Sequence, residues 1–329
     1  MKKTDGVFIR LNNKIRVSVA IAMAICVLLP CFILSSCSVP FSFPSISVNE
    51  DLLGRLPSNG VGMGNLQPPE GQKQYEIGSS EDLFYSVQDS LYSFSSEIYI
   101  RIDDYSIFSR YWEELTVAGA LHSAFQQGQV QIEYENRTPC NIRVNLNFNE
   151  CGLFLKQYLS SDKPSYETNE QIMLDQLIRE IRENIIREDM NDFQKVVAVH
   201  DYIVVNTEYI ESENSDYLAT AISVLKDGKG QCQGYSEAFA AIMIVLGVET
   251  RVISGKAFDS QMRFVPHAWN QVKIDGVWYH VDVTWDDPIP DTGGSALRTY
   301  MLRSDEFFET DHMWSDYFPR CAKDNPVLG

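Results

Sequence analysis

The reading of the chain turns on VPHAWNQVKIDGVWYHVDVTWDDP, Val265–Pro288. Two runs rich in Val, Ile, Tyr and Trp flank Asp275-Gly276. Asp-Gly between such runs is a strong signal for a two-residue type I′ hairpin. That turn fixes the register. Ile274 stands opposite Val277, and each further pair keeps the same sum of residue numbers, so Trp269 faces Asp282 and His267 faces Thr284. Side chains alternate between the faces of a strand. His267, Trp269 and Gln271 therefore share a face with His280, Asp282 and Thr284. His267 and Asp282 become diagonal neighbours, about 7–8 Å apart at the backbone and within reach of an imidazole–carboxylate hydrogen bond. His280 is one pair further along. Taken singly, His267 reads as a surface strand residue and Asp282 as a turn cap.

Upstream stands GKGQCQGYSEAF, Gly228–Phe239. Tyr235, Ala238, Phe239, Ile242, Met243 and Leu246 recur at three- and four-residue steps, and Gly247 is a natural terminator, so a buried helix follows the glycine turn. Cys232 falls at its N-terminus. Backbone N–H groups there lack intrahelical partners and the helix dipole is positive. Both favour a thiolate, and the same N–H groups suit an oxyanion. Gly228, Gly230 and Gly234 would let a substrate backbone come close. Cys232, His267 and Asp282 together meet the needs of an activated nucleophile: a thiol, a base for it, and an orienter for the base. Gln231, Gly234, Tyr235 and Trp269 are candidate substrate contacts.

GKGQCQGYSEAF, HAWNQVKIDGVWYHVDVTWDDP and the later YMLRSDE (Tyr300–Glu306) resemble the three core blocks of the transglutaminase-like superfamily. The resemblance runs from about Ser165 to Pro319. It implies an α+β, papain-like core, with a helix carrying Cys packed on an antiparallel sheet carrying His and Asp. It also implies Cys232 as nucleophile, His267 as base and Asp282 as orienter. VHDYIVVNTEY and Asp311-His312 look like structural parts of the same pattern. The implied chemistry is acyl transfer through a thioester on a protein or peptide substrate, including cell-wall peptide. The alternative is a binding scaffold that uses the same cleft. No cofactor or metal is expected. Asp286, Asp287 and Asp291 read as turn and cap chemistry beside Pro288 and Pro290 rather than as a calcium site.

The 329-residue chain carries a formal net charge of -18 and no Lys/Arg-rich run, which argues against nucleic acid as a partner. Lys2, Lys3, Arg10, Lys14 and Arg16 precede the apolar run Val17–Leu34, and LSSC follows it. This order describes a secretory signal, and LSSC resembles a bacterial lipobox with Cys37 as the lipidated residue. The expected organisation is therefore a signal over 1–36 and a flexible Pro/Ser/Gly-rich tether over 37–79. A small α+β domain over 80–163 and a transglutaminase-like domain over 164–329 follow. The protein would lie outside the cytoplasm, lipid-anchored to the cell membrane. In that compartment a disulfide between Cys140 and Cys151 is permitted. Within the small domain, Ser109–Phe125 reads as a helix. Beyond it, Ile172, Leu174, Leu177, Ile178, Ile181 and Ile185 form one helical face. His200 lies on the apolar face of the next helix, whose start Asn191 or Asp192 would cap, and reads as a packed core residue.

Overall fold

The computed structural model of the protein describes residues 66–121, 124–126, 130–211, 216–259, 261–287 and 296–325. The signal, Cys37, Pro288, Pro290 and Asp291 lie outside the described residues. The first part of the body comprises β1 (Gln74–Glu76), α1 (Ser80–Tyr92), β2 (Glu97–Ile102), α2 (Tyr105–Val117), β3 (Gln131–Tyr134), β4 (Cys140–Asn145) and α3 (Glu150–Ser160). Its sheet has the order β1-β2-β4-β3, with β1 parallel to β2 and the other pairs antiparallel.

Three expectations change here. Residues 66–79, assigned to the tether by composition, include β1, which is held by backbone pairing that composition does not report. The helix expected over 109–125 starts earlier and ends earlier. Asp104 accepts the Ser106 N–H at 2.7 Å and starts it, and the chain leaves helical geometry by Gly119, at φ 68. Cys140 and Cys151 are free, buried thiols rather than a disulfide. Cys140 donates to the Glu135 carbonyl at 3.0 Å, and burial pushes its thiol up to about 11.

The second part begins with α4 (Asn169–Ile185), capped by Thr168. Leu174, Ile178 and Ile181 face inward, but Ile172, two residues from Leu174 and so on another side of the helix, is 42% exposed. Helix α5 (Asp192–Asn206) starts on a capping box made by Asn191 and Gln194. Then come β5 (Glu208–Tyr209), a 3-10 turn (Asp216–Ala219), α6 (Ala221–Asp227), β6 (Lys229–Gly230) and α7 (Cys232–Val245). Every α7 residue from Cys232 to Met243 is buried, the polar Gln233, Ser236 and Glu237 included.

The rest is β7 (Thr250–Phe258), β8 (Phe264–Ile274), β9 (Val277–Val281), β10 (Met301–Arg303), α8 (Asp305–Phe308) and β11 (His312–Met313). These strands form an antiparallel sheet of order β10-β9-β8-β7-β11. Helix α7 lies on one face, where Asn270 Nδ2 donates to the Ser236 carbonyl at 3.0 Å. On the other face Trp269 packs against Phe308 and Trp314. Gly255 on β7 has no room for a side chain, since a Cβ would collide with the Met313 carbonyl and the Trp269 ring. One apolar core runs through both parts of the body, from Ile77 to Phe318. Among the described residues no helix is long and apolar enough to cross a membrane.

Candidate active site

The hairpin has the register that Asp275-Gly276 dictates. Ile274 pairs with Val277 and the ladder continues to Asn270–Val281. Both turn residues have positive φ, 50° and 81°, as a type I′ turn requires. The ladder ends one pair short of the expected Trp269–Asp282 contact. Asp282 turns its carboxylate back on its own chain and accepts the Thr284 and Trp285 N–H groups on Oδ1, at 3.0 and 3.1 Å. Its own N–H bonds to the Tyr300 carbonyl. Thr284 therefore sits in a turn and not opposite His267. The diagonal pair nevertheless forms: His267 Nε2 lies 2.6 Å from Asp282 Oδ2.

Cys232 is the first residue of α7, after Gln231 at the N-cap, and its thiol is near enough to His267 to favour the charged imidazole. Asp282 occupies Nε2 of that ring, so Nδ1 is left for the thiol. The three candidate residues thus meet in one buried cluster, with His267 between the other two. Burial works against a charged His267, but the Asp282 carboxylate and the Cys232 sulfur more than offset it and hold the imidazole up at about 9. Burial likewise opposes an ionised Asp282. His267 and His312 outweigh that and keep the carboxyl well below the usual range.

The four expected substrate contacts have other occupations. Tyr235 is wholly buried and donates its hydroxyl to Asp287 Oδ2 at 2.6 Å. Trp269 is wholly buried too, with its indole N–H on His280 Nδ1 at 2.9 Å and its ring stacked on His267. A Cβ on Gly234 would lie 2.6 Å from the Leu218 carbonyl, so glycine there lets α7 pack on the chain before it. Gly228 caps α6 at φ 62, and a Cβ on Gly230 would meet Val224. At each of these glycines a side chain would meet a neighbouring part of the chain. Gln231 is 4% exposed, and its amide donates to the Ile210 carbonyl at 3.3 Å.

Several further residues complete this network through partners distant in sequence. His312, on β11, places Nε2 3.1 Å from Asp282 Oδ2 and Nδ1 2.6 Å from Asp311 Oδ1. Trp285 sits against both His267 and His312, at ring separations of 5.7 and 4.4 Å. His200 is buried as expected, yet it is paired: Nδ1 meets Asp201 at 3.1 Å and Nε2 meets Asp286 at 3.0 Å. Asp286 also accepts the Tyr300 N–H. The acidic pair Asp286-Asp287 thus anchors the turn after Asp282 to α5 and α7.

Two groups bring metal-type ligand atoms within 4.8 Å of one another: His267, Asp282 and His312, and His280, Asp305 and Cys321. In the first, both imidazole Nε2 atoms are already committed to one carboxylate oxygen. In the second, the Trp269 N–H makes His280 Nδ1 an acceptor, so Nε2 carries the hydrogen it gives to Asp305 at 3.0 Å. A nitrogen that bears a hydrogen offers no lone pair to an ion. Neither arrangement fits a metal.

Residues 179–283 match the family described as the Transglutaminase-like superfamily. Cys232, His267 and Asp282 lie inside that span, and His312 lies beyond it. The chain is 26% identical over 160 residues to the kyphoscoliosis peptidase of Mus musculus, covering 43% of this chain and 24% of that protein. It is 25% identical over 179 residues to the kyphoscoliosis peptidase of Homo sapiens, covering 49% and 26%. The match thus spans about a quarter of the length of these curated relatives. A solved crystal structure of a TGase is similar at a TM-score of 0.31 and 20% identity, over 64% of this chain and 58% of that one.

Proposed function

Because residues 179–283 match the Transglutaminase-like superfamily, we propose that the protein transfers acyl groups of peptide or protein substrates through a thioester on Cys232. One observation supports this above the others: a single imidazole, His267, is bonded to the Asp282 carboxylate at 2.6 Å and also feels the Cys232 sulfur. The thiol gives its proton to His267, and the sulfur attacks the carbonyl carbon of a peptide bond or a glutamine carboxamide. The carbonyl electrons move to oxygen beside the Cys232 N–H, which stands in the first turn of α7 without an intrahelical acceptor. On collapse the C–N bond breaks. His267 returns its proton to the departing nitrogen, and the acyl group stays on sulfur. Water then regenerates the thiol in a peptidase or amidase. A lysine amine does so in a protein-glutamine transglutaminase. The curated relatives bear the name peptidase, which makes hydrolysis the first outcome to test.

The test is incubation with casein and a fluorescent primary amine, with Cys232→Ala as control. Fragments that disappear in the control mark hydrolysis, and fluorescence fixed to casein marks transfer. Neither product, together with a Cys232 no more reactive than in His267→Ala, would favour a peptide- or cell-wall-binding scaffold. On its basic and apolar N-terminus and on Cys37, we place the protein at the extracytoplasmic face. Fatty-acid labelling lost in Cys37→Ser would support that placement.

A further inference from the structure

Asp282 is a carboxylate with all its acceptor positions filled. Oδ1 takes two backbone N–H groups and Oδ2 takes two imidazoles. The second imidazole, His312, lies between two carboxylates. Each can only accept when ionised, so both of its nitrogens must donate, and a ring that donates twice is an imidazolium. The surroundings suit a cation. Trp285, Phe308, Trp269 and Tyr300 ring it at 4.4 to 5.7 Å. The Tyr300 hydroxyl donates to Asp311 Oδ2 at 2.7 Å and steadies that carboxylate.

We propose that His312 is a positioning residue, a second imidazolium that pins the Asp282 carboxylate and limits how firmly Asp282 holds a proton on His267. The inference rests on the proposed roles of Cys232, His267 and Asp282. The charged and titratable groups around His312 come from each neighbouring element. They are His267 on β8, His280 on β9, Asp282 after β9, and Asp311 and Tyr300 beside β11 and β10; Lys256 on β7 pairs through its backbone with Met313. Burial opposes charge on His312, and Asp282 and Asp311 outweigh it. Two cations share one carboxylate, so each weakens the other's claim. Without His312, all of Asp282 serves His267. The ring then keeps its proton to higher pH, while the carboxylate loses one of its four anchors.

The test uses the full chain and iodoacetate, with alkylation of Cys232 followed site by site by mass spectrometry. This anionic reagent reacts faster while the neighbouring imidazole is charged, so the alkaline limb of the rate reports His267. His312→Gln should move that limb up by about one pH unit, the scale on which a close charge shifts a neighbour. Asp311→Asn, which leaves the ring in place but removes its second carboxylate, should move it the same way by less. A limb unmoved in both folded variants overturns the inference, since a merely structural His312 would change rate or stability alone. Should the variants unfold, nitrogen-15 spectra of the histidine-labelled wild type decide. Both His312 nitrogens protonated at neutral pH is the expected result, and a neutral ring overturns it. If the wild type and His267→Ala share one alkylation profile, the triad reading itself has failed.

Discussion

At the scale of single residues, the cluster works by dividing charge. His267 has one nitrogen for the sulfur and one for Asp282, so its proton can move toward a leaving nitrogen without the ring turning. Replacing His267 with Ala should lower acyl transfer about 10²- to 10⁴-fold, the usual worth of a positioned acid–base group. Initial rates on casein check this. The pH dependence follows from the same pair. The imidazole is held up at about 9, above its ordinary value, so the charged ring exists below that point and is lost as pH rises through it. Acyl transfer should therefore fall on the alkaline side near pH 9. Stability should fall over the same window, from the ordinary histidine range up to about 9, because the unfolded chain gives up that proton first. Rates and melting temperatures between pH 6 and 10 measure both.

At the scale of elements, the β8–β9 hairpin and the start of α7 do most of the placing. The hairpin was legible because Asp275-Gly276 sets its register locally and the pattern repeats every two residues. Gly276→Ala would force a side chain into positive φ, at a cost of about 1–2 kcal/mol. A melting curve should show that loss with the sheet retained. Helix α7 was legible because one face of its sequence is apolar at helical spacing and a glycine follows it. What local pattern left open was decided by distant partners. Tyr235 and Trp269 resemble cleft aromatics until Asp287 and His280 are seen to take their polar ends. His312 was visible only as part of a family pattern. Its contact with Asp282 depends on β11, a two-residue strand on the far edge of β7, and on the bare backbone of Gly255 that lets β11 approach. No local periodicity encodes such a crossing.

At the scale of the whole molecule, α7 ties the first part of the body to the second. Glu237 is wholly buried on the helix that begins with Cys232. One of its oxygens accepts from Asn149, the cap of α3, at 2.6 Å, and the other accepts the Ala221 N–H at the start of α6, at 2.5 Å. Elsewhere the Val252 N–H donates to the Tyr92 hydroxyl, and Tyr317 reaches Ser80 and Glu114. Burial pushes Glu237 up to about 8, against the pull of its two donors. A carboxyl raised in this way is protonated in both states at low pH. As pH rises the unfolded chain ionises first, so stability should fall from the ordinary carboxyl range up to about pH 8. Glu237→Gln should begin about 1–3 kcal/mol less stable, since its amide N–H₂ must face a donor, and should lose less across that window. Melting temperatures at pH 5 and pH 8 test both expectations.

The hairpin also bears on the order in which the cluster comes together. His267 and Asp282 are 15 residues apart and joined through a tight turn, whereas Asp282 and His312 are 30 apart. Short loops close at lower entropic cost than long ones, and a hairpin forms in about 1–10 μs. The base and its carboxylate can therefore meet before the helix bearing the sulfur has docked on the sheet. A chain still folding would carry a prepared imidazole and an idle thiol. Reactivity would arrive only with the final packing of α7, so that the completed fold is itself the activating step.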